Sequence, residues 1–81
     1  MNAPTNGDGS EFTLGGLTFQ ITYIPGMNRI QLQLRVDDEW VLVHARNVPK
    51  DMTAQTAMQT MRRFVLGHID QDEYNRRLPG N

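Results

Sequence analysis

The run Arg-Ile-Gln-Leu-Gln-Leu-Arg-Val at positions 29–36 leaves the backbone little choice. Ile30, Leu32, Leu34 and Val36 alternate without a break with Arg29, Gln31, Gln33 and Arg35. A strand sends successive side chains to opposite faces, so this run presents one aliphatic face and one face of Arg and Gln. Helical spacing would scatter the aliphatics around a cylinder and bury the arginines. The run predicts a strand, and apolar alternation on both sides of it makes that strand the centre of a sheet.

Upstream, Leu17, Phe19, Ile21 and Tyr23 alternate with Thr18, Gln20, Thr22 and Ile24, a β-branched and aromatic pattern that predicts a strand over 17–24. Pro25-Gly26 turns the chain, with Pro fixing φ at one position and Gly supplying a positive φ at the next. A loop of Pro25-Gly26 or of Pro25 to Asn28 pairs Phe19 with Leu32 or Leu34, and either register brings the two apolar sets onto one face. Asp37 and Asp38 form the next turn, and Trp40 to Arg46 the third strand. A two-residue turn sets Leu34 opposite Val41, Leu32 opposite Val43 and Ile30 opposite Ala45. The buried face is then Leu17, Phe19, Ile21, Tyr23, Ile30, Leu32, Leu34, Val36, Val41, Val43 and Ala45. A three-residue turn would bury Trp40, Leu42 and His44 instead; the first register is preferred because β-branched Val41 and Val43 suit a sheet interior. Glu11 to Leu14 predicts a short edge segment before Gly15-Gly16. Residues 1–10 are polar and aperiodic and read as a disordered tail, 11–78 as one domain, and 79–81 as a C-terminal tail. Gly9-Ser10-Glu11-Phe12 also matches a common cloning junction, so no function is placed there.

Beyond the sheet, Thr53 or Asp51 caps a helix running to about Leu66. Ala54, Ala57, Met58, Met61, Phe64, Val65 and His68 make its apolar stripe, wide enough to cover one face of a sheet, while Gln55, Thr56, Gln59, Arg62 and Arg63 face water. Gly67 stands where a left-handed residue ends a helix. A short second helix follows, with Asp70 and Glu73 as a capping box, Ile69 stapled to Tyr74, and Arg76-Arg77 at the negative end of the dipole. The stretch Gly67 to Leu78 resembles the short C-terminal helical hairpin (SHOCT) found at the ends of many bacterial proteins, and no function follows from the resemblance. The fold class is α+β: a three- or at most four-stranded antiparallel meander, one long helix on one face and a short C-terminal helix.

Eighty-one residues form one thin-cored domain, stabilised by good packing or by association. There is no cysteine, which excludes a disulfide scaffold and a thiolate zinc site. No apolar stretch is long enough to span a bilayer, and the N-terminus lacks the basic start and apolar run of a signal peptide, so a cytoplasmic location is expected. The net charge of −1 argues against a generic polyanion binder. Catalysis is not expected, and neither a cofactor nor a small-molecule substrate. Ser10 is the one serine, there is no thiol, and His44 and His68 lack the spacing that gathers metal ligands. Asp70, Asp72 and Glu73 resemble part of a calcium loop, but their capping role accounts for them. Gly15-Gly16 leads into a strand, so no phosphate loop forms.

The sheet's second face stands out. On the preferred register it presents Thr18, Gln20, Thr22, Ile24, Arg29, Gln31, Gln33, Arg35, Trp40, Leu42, His44 and Arg46, and no carboxylate is expected on it. Arg35 can lie against the one tryptophan. Aromatics and arginines are what binding hot spots use. The expectation is a small protein-binding module of accessory or phage type, an adaptor or inhibitor that docks its sheet face or edge on a larger host or cognate protein, or on a second copy as a homodimer. The candidate contact residues are Arg29, Gln31, Gln33, Arg35, Trp40, Leu42, His44 and Arg46. The alternative is DNA binding. A three-stranded sheet backed by one helix resembles in architecture the arm-binding domains of phage integrases and the plant AP2 type, which read the major groove with Arg, Trp and Gln. One lysine and a negative net charge supply few phosphate contacts for that role.

Overall fold

The computed structural model describes residues 10–79. Four strands, β1 (Ser10–Leu14), β2 (Leu17–Ile24), β3 (Arg29–Val36) and β4 (Glu39–Asn47), form an antiparallel meander in chain order. Two helices follow, α1 (Ala54–Val65) and α2 (Gln71–Arg77). The edge segment expected before Gly15 is a full strand beginning at Ser10, and the rest of the expected N-terminal tail lies outside the described residues, as do residues 80–81. Phe12 of β1 pairs with Phe19, their rings stacked 5.6 Å apart, and joins the core. Ser10 to Phe12 of the stretch that matches a cloning junction are therefore built into the fold.

The β2–β3 connection takes the longer of the two expected loops, setting Phe19 opposite Leu34 and Ile21 opposite Leu32. The expected positive φ at Gly26 is not there. Pro25–Met27 forms a 3-10 turn, and the left-handed residue is Asn28, at φ 50°. A 3-10 turn keeps its own residues right-handed, so the reversal falls on the residue that leaves it, and Asn tolerates that conformation. Its side chain donates to the Val48 carbonyl and accepts from the Tyr23 hydroxyl, each at 3.0 Å. This ties the loop to the exit of the sheet.

Asp37 and Asp38, at φ 51° and 69°, form the two-residue turn between β3 and β4, with the paired positive φ that suits the strand twist. Leu34 accordingly faces Val41, and Arg35 faces Trp40. The register then slips. Gln33 pairs with Leu42 but Leu32 with His44, which leaves Val43 as an extra residue, a β-bulge. Past the bulge the faces exchange: His44 and Arg46 stand with Leu32 and Ile30, while Ala45 and Asn47 stand with Gln31 and Arg29. Each of the two registers weighed from the sequence holds for half of β4. Ala45 is thus not on the core face, and His44 and Arg46 are not on the open one.

Both helices pack on the aliphatic face. Thr53 caps α1, accepting from the Thr56 amide at 3.1 Å, and Gly67 at φ 82° ends it, with the His68 amide donating to the Arg63 carbonyl. Asp70 caps α2 by accepting from the Glu73 amide at 2.8 Å. Met61, Ala57, Tyr74 and Leu78 bury completely against Ile21, Ile30 and Leu32. His68, expected at the end of the α1 stripe, is exposed, because the left-handed Gly67 turns the chain away from the stripe's direction. Thr60 is buried in its place, its hydroxyl donating to the Thr56 carbonyl.

Candidate docking surface

The helices cover only part of the aliphatic face. The β1–β2 and β3–β4 turns lie at the same end of the meander, and there the cover stops. Leu14, Leu17, Val36 and Val41 share the core face of the sheet, yet each is exposed by 42–49%. Leu14 pairs with Leu17, and Leu17 and Val36 stand two residues beyond the last paired couple, Phe19 and Leu34. The strip is therefore a continuation of the core row past the reach of the helices. Leu17, Val36 and Val41, expected in the interior, are exposed there for that reason, and Val43, also expected there, is exposed as the unpaired residue of the bulge. Single exposed aliphatics are ordinary, whereas several gathered at one end of a small domain mark a contact surface.

The opposite face of the sheet carries no helix. Of the eight candidate contact residues, Arg29, Gln31, Gln33, Arg35, Trp40 and Leu42 share this face. The Gln20 amide donates to the Gln33 carbonyl oxygen at 2.8 Å across β2 and β3. Arg35 lies over the Trp40 ring at 5.1 Å from its centroid and reaches Asp38 at 3.7 Å. The ring is half-buried and Leu42 beside it is 52% exposed. The Arg29 Nε is buried and has no hydrogen-bond partner among the described residues. β1 adds Glu11 and Thr13, so the four-stranded face does hold a carboxylate. The two surfaces meet on the edge strand β4. From Trp40 to Val43 it shows apolar side chains that are exposed or half-buried, and the bulge closes the stretch.

His44 and Arg46 do other work. His44 Nε2 and the Tyr74 hydroxyl share a hydrogen bond of 2.8 Å, the Arg46 guanidinium lies 4.8 Å from the centre of the Tyr74 ring, and it donates to the Leu78 carbonyl. Phe64 stacks on the other side of that ring at 4.1 Å, so Tyr74 clamps both helices to β4. Burial, with the Arg46 charge adding to it, pushes the His44 pKa below its ordinary 6.5. Burial pushes the Tyr74 hydroxyl up to about 12, with Arg46 acting in the opposite direction. The clamp thus holds a neutral imidazole and a neutral phenol beside one guanidinium. No pattern short of the bulge itself announces this placement. A β-bulge leaves no fixed residue signature, and His44 and Arg46 alternating with Val43 and Ala45 read naturally as a solvent face.

Elsewhere, Gln59, Arg62, Arg63, Leu66 and His68 line an open depression of about 290 Å³. Among the described residues no three His, Asp or Glu side chains gather as a metal site, and no helix is long and apolar enough to cross a membrane.

The family model described as Mycobacterium phage L5 gene 74 protein matches residues 10–80. No curated protein and no solved structure gives a match.

Proposed function

The chain belongs to the phage protein family of the Mycobacterium phage L5 gene 74 protein, and from that premise we propose that it is a non-enzymatic protein-binding module, an adaptor or inhibitor that docks the turn end of its sheet on a larger protein. One observation carries the reading: Leu14, Leu17, Val36 and Val41 on the aliphatic face, with Leu42 and Val43 on the edge strand β4, are all at least 42% exposed and lie toward the turn end of the sheet. Trp40, stacked under Arg35, adds the kind of anchor that dominates protein interfaces. His44 and Arg46 leave the contact set, since both are engaged with α2. An exposed apolar end of this kind costs solubility unless something covers it in use.

Affinity capture from host lysate, read beside light scattering, tests the reading. The wild-type chain is expected to retain a specific protein, and a Leu17→Ser/Val41→Ser variant, melting within about 1 kcal/mol of wild type because both side chains are already half in water, is expected to lose it. A monomer that retains nothing removes the reading's support.

DNA binding is the second reading, favoured by the row Arg29, Gln31, Gln33, Arg35 on the open face. Against it, Asp37, Asp38 and Glu39 crowd the turn at the end of that row. Fluorescence anisotropy on duplex DNA decides it. Binding that weakens with salt and loses about one unit of log–log slope in Arg35→Ala would support the groove reading.

A further inference from the structure

We infer that the free edge of β4 is a strand-addition site, and that its occupant is a short extended segment of a partner, apolar in alternation and carrying basic residues at its C-terminal end. The inference rests on the docking reading above and specifies how docking is done.

The edge itself is the first ground. β4 pairs with β3 on one side only, so its outward amides and carbonyls meet no strand of this sheet. Natural edge strands are usually blunted by lysine, proline or a bulge. From Trp40 to Val43 this one has neither lysine nor proline, and its side chains are apolar on both faces, exposed at Val41, Leu42 and Val43 and half-buried at Trp40. The bulge at Val43 then interrupts the regular ladder, which limits an added strand to about four residues. Main-chain hydrogen bonds would supply affinity, and alternate side chains would rest on Val41 toward the helix side and on Trp40 and Leu42 toward the open side.

Charge chooses the occupant. Asp37, Asp38 and Glu39 stand at the start of this edge, and the one described base bridged to them is Arg35, to Asp38, through a loose and exposed pair. Every pairing in the sheet is antiparallel, and an antiparallel addition brings the C-terminal end of the new strand to this acidic turn. A basic end there is complementary, and an acidic one is repelled. A second copy of this chain does not meet the requirement. Between Asp37 and Ala45 it offers no Lys or Arg, and its first base on β4, Arg46, is held by Leu78 and Tyr74.

Capped synthetic peptides of alternating valine and threonine, titrated into the isotopically labelled full chain and followed by amide shifts, test this. The peptide ending in two lysines is expected to shift Trp40 to Val43 and the Asp37–Glu39 turn. Moving the lysines to its N-terminus, or replacing them with glutamates, is expected to weaken binding about tenfold or more, the scale of a lost interfacial charge contact. Methylating the peptide nitrogens that face β4 is expected to abolish the shifts. The inference is overturned if the methylated or glutamate peptides bind equally well, if shifts fall on Leu14 and Leu17 and spare β4, if no peptide shifts β4 at millimolar concentration, or if the chain alone dimerises through this edge. In any of these cases lysate capture that still depends on Leu17 and Val41 would keep the docking reading standing.

Discussion

The two ends of one sheet behave as different materials. At the end near the 3-10 turn, Ile30 is fully buried, Ile21 nearly so, and Tyr74 closes the layer with Phe64 on one side of its ring and Arg46 on the other. At the turn end, the same aliphatic row runs on through Phe19 and Leu34 to Leu17 and Val36 with no helix above it. Sequence alternation is equally regular at both ends. What differs is the cover: α1, of twelve residues, and α2, of seven, bury Ile21, Ile30 and Leu32 in one cluster that leaves Leu17 and Val36 out. The pattern that makes a strand does not say whether its apolar face is core or contact surface. The layer above decides that.

Removing the clamp is expected to have the largest effect. Tyr74→Ala should destabilise the domain by about 3–5 kcal/mol, comparable to the whole stability of a chain this short, and chemical denaturation should show little or no folded baseline. A Tyr74→Ala variant that kept a wild-type midpoint would erase the contrast between the two ends. The clamp's proton chemistry sets a smaller effect. The His44 pKa is lower folded than unfolded, so its contribution is fully present above about 6.5 and is lost as pH falls from there through the folded value. Denaturation midpoints at pH 7.5 and pH 5.5 should differ more in wild type than in His44→Gln, and equal differences would remove His44 from the linkage. The smallest effect belongs to the turn end. Asp38, left-handed at φ 69°, should tolerate Asp38→Gly with a gain of about 0.4–1 kcal/mol, visible as a modest rise in Tm. A loss on that substitution would mean that the loose Arg35–Asp38 pair matters more than the backbone.

Much of this architecture was legible in the residues. The alternation at 29–36 located β3, Asp37-Asp38 located its turn, and the caps at Thr53, Gly67 and Asp70 stand where their chemistry places them. Six of the eight candidate contact residues share the open face. What could not be read was whatever depends on a count across space. An extra residue in one strand changes its phase part-way, and each register weighed from the sequence assumes one phase for the whole of β4, so Val41 and His44 facing inward together was not foreseen. The shortfall of helical cover was invisible too, because a stripe shows which face a helix buries and not where on the sheet it comes to rest. Asn28 in place of Gly26 is a third case. The loop chose its left-handed residue by turn type, and both candidates were chemically able to serve.

Val43 acts on β4 as a half-wavelength delay acts on a signal. Upstream of it the strand is in phase with a surface built for contact, and downstream it is in phase with a clamp built for stability. The two halves therefore answer to separate demands along one continuous strand. Substitutions between Trp40 and Leu42 can retune the exposed edge while His44 and Arg46 stay locked on Tyr74. A one-residue deletion at Val43 is a different kind of change: it would remove the bulge and let Leu42 and His44 follow Gln33 and Leu32 in an unbroken ladder, keeping His44 and Arg46 on the Tyr74 side while lengthening the regular edge. In that sense the spelling of this edge is free in several places, while the phase of the strand beyond Val43 is fixed by Leu32 and Ile30.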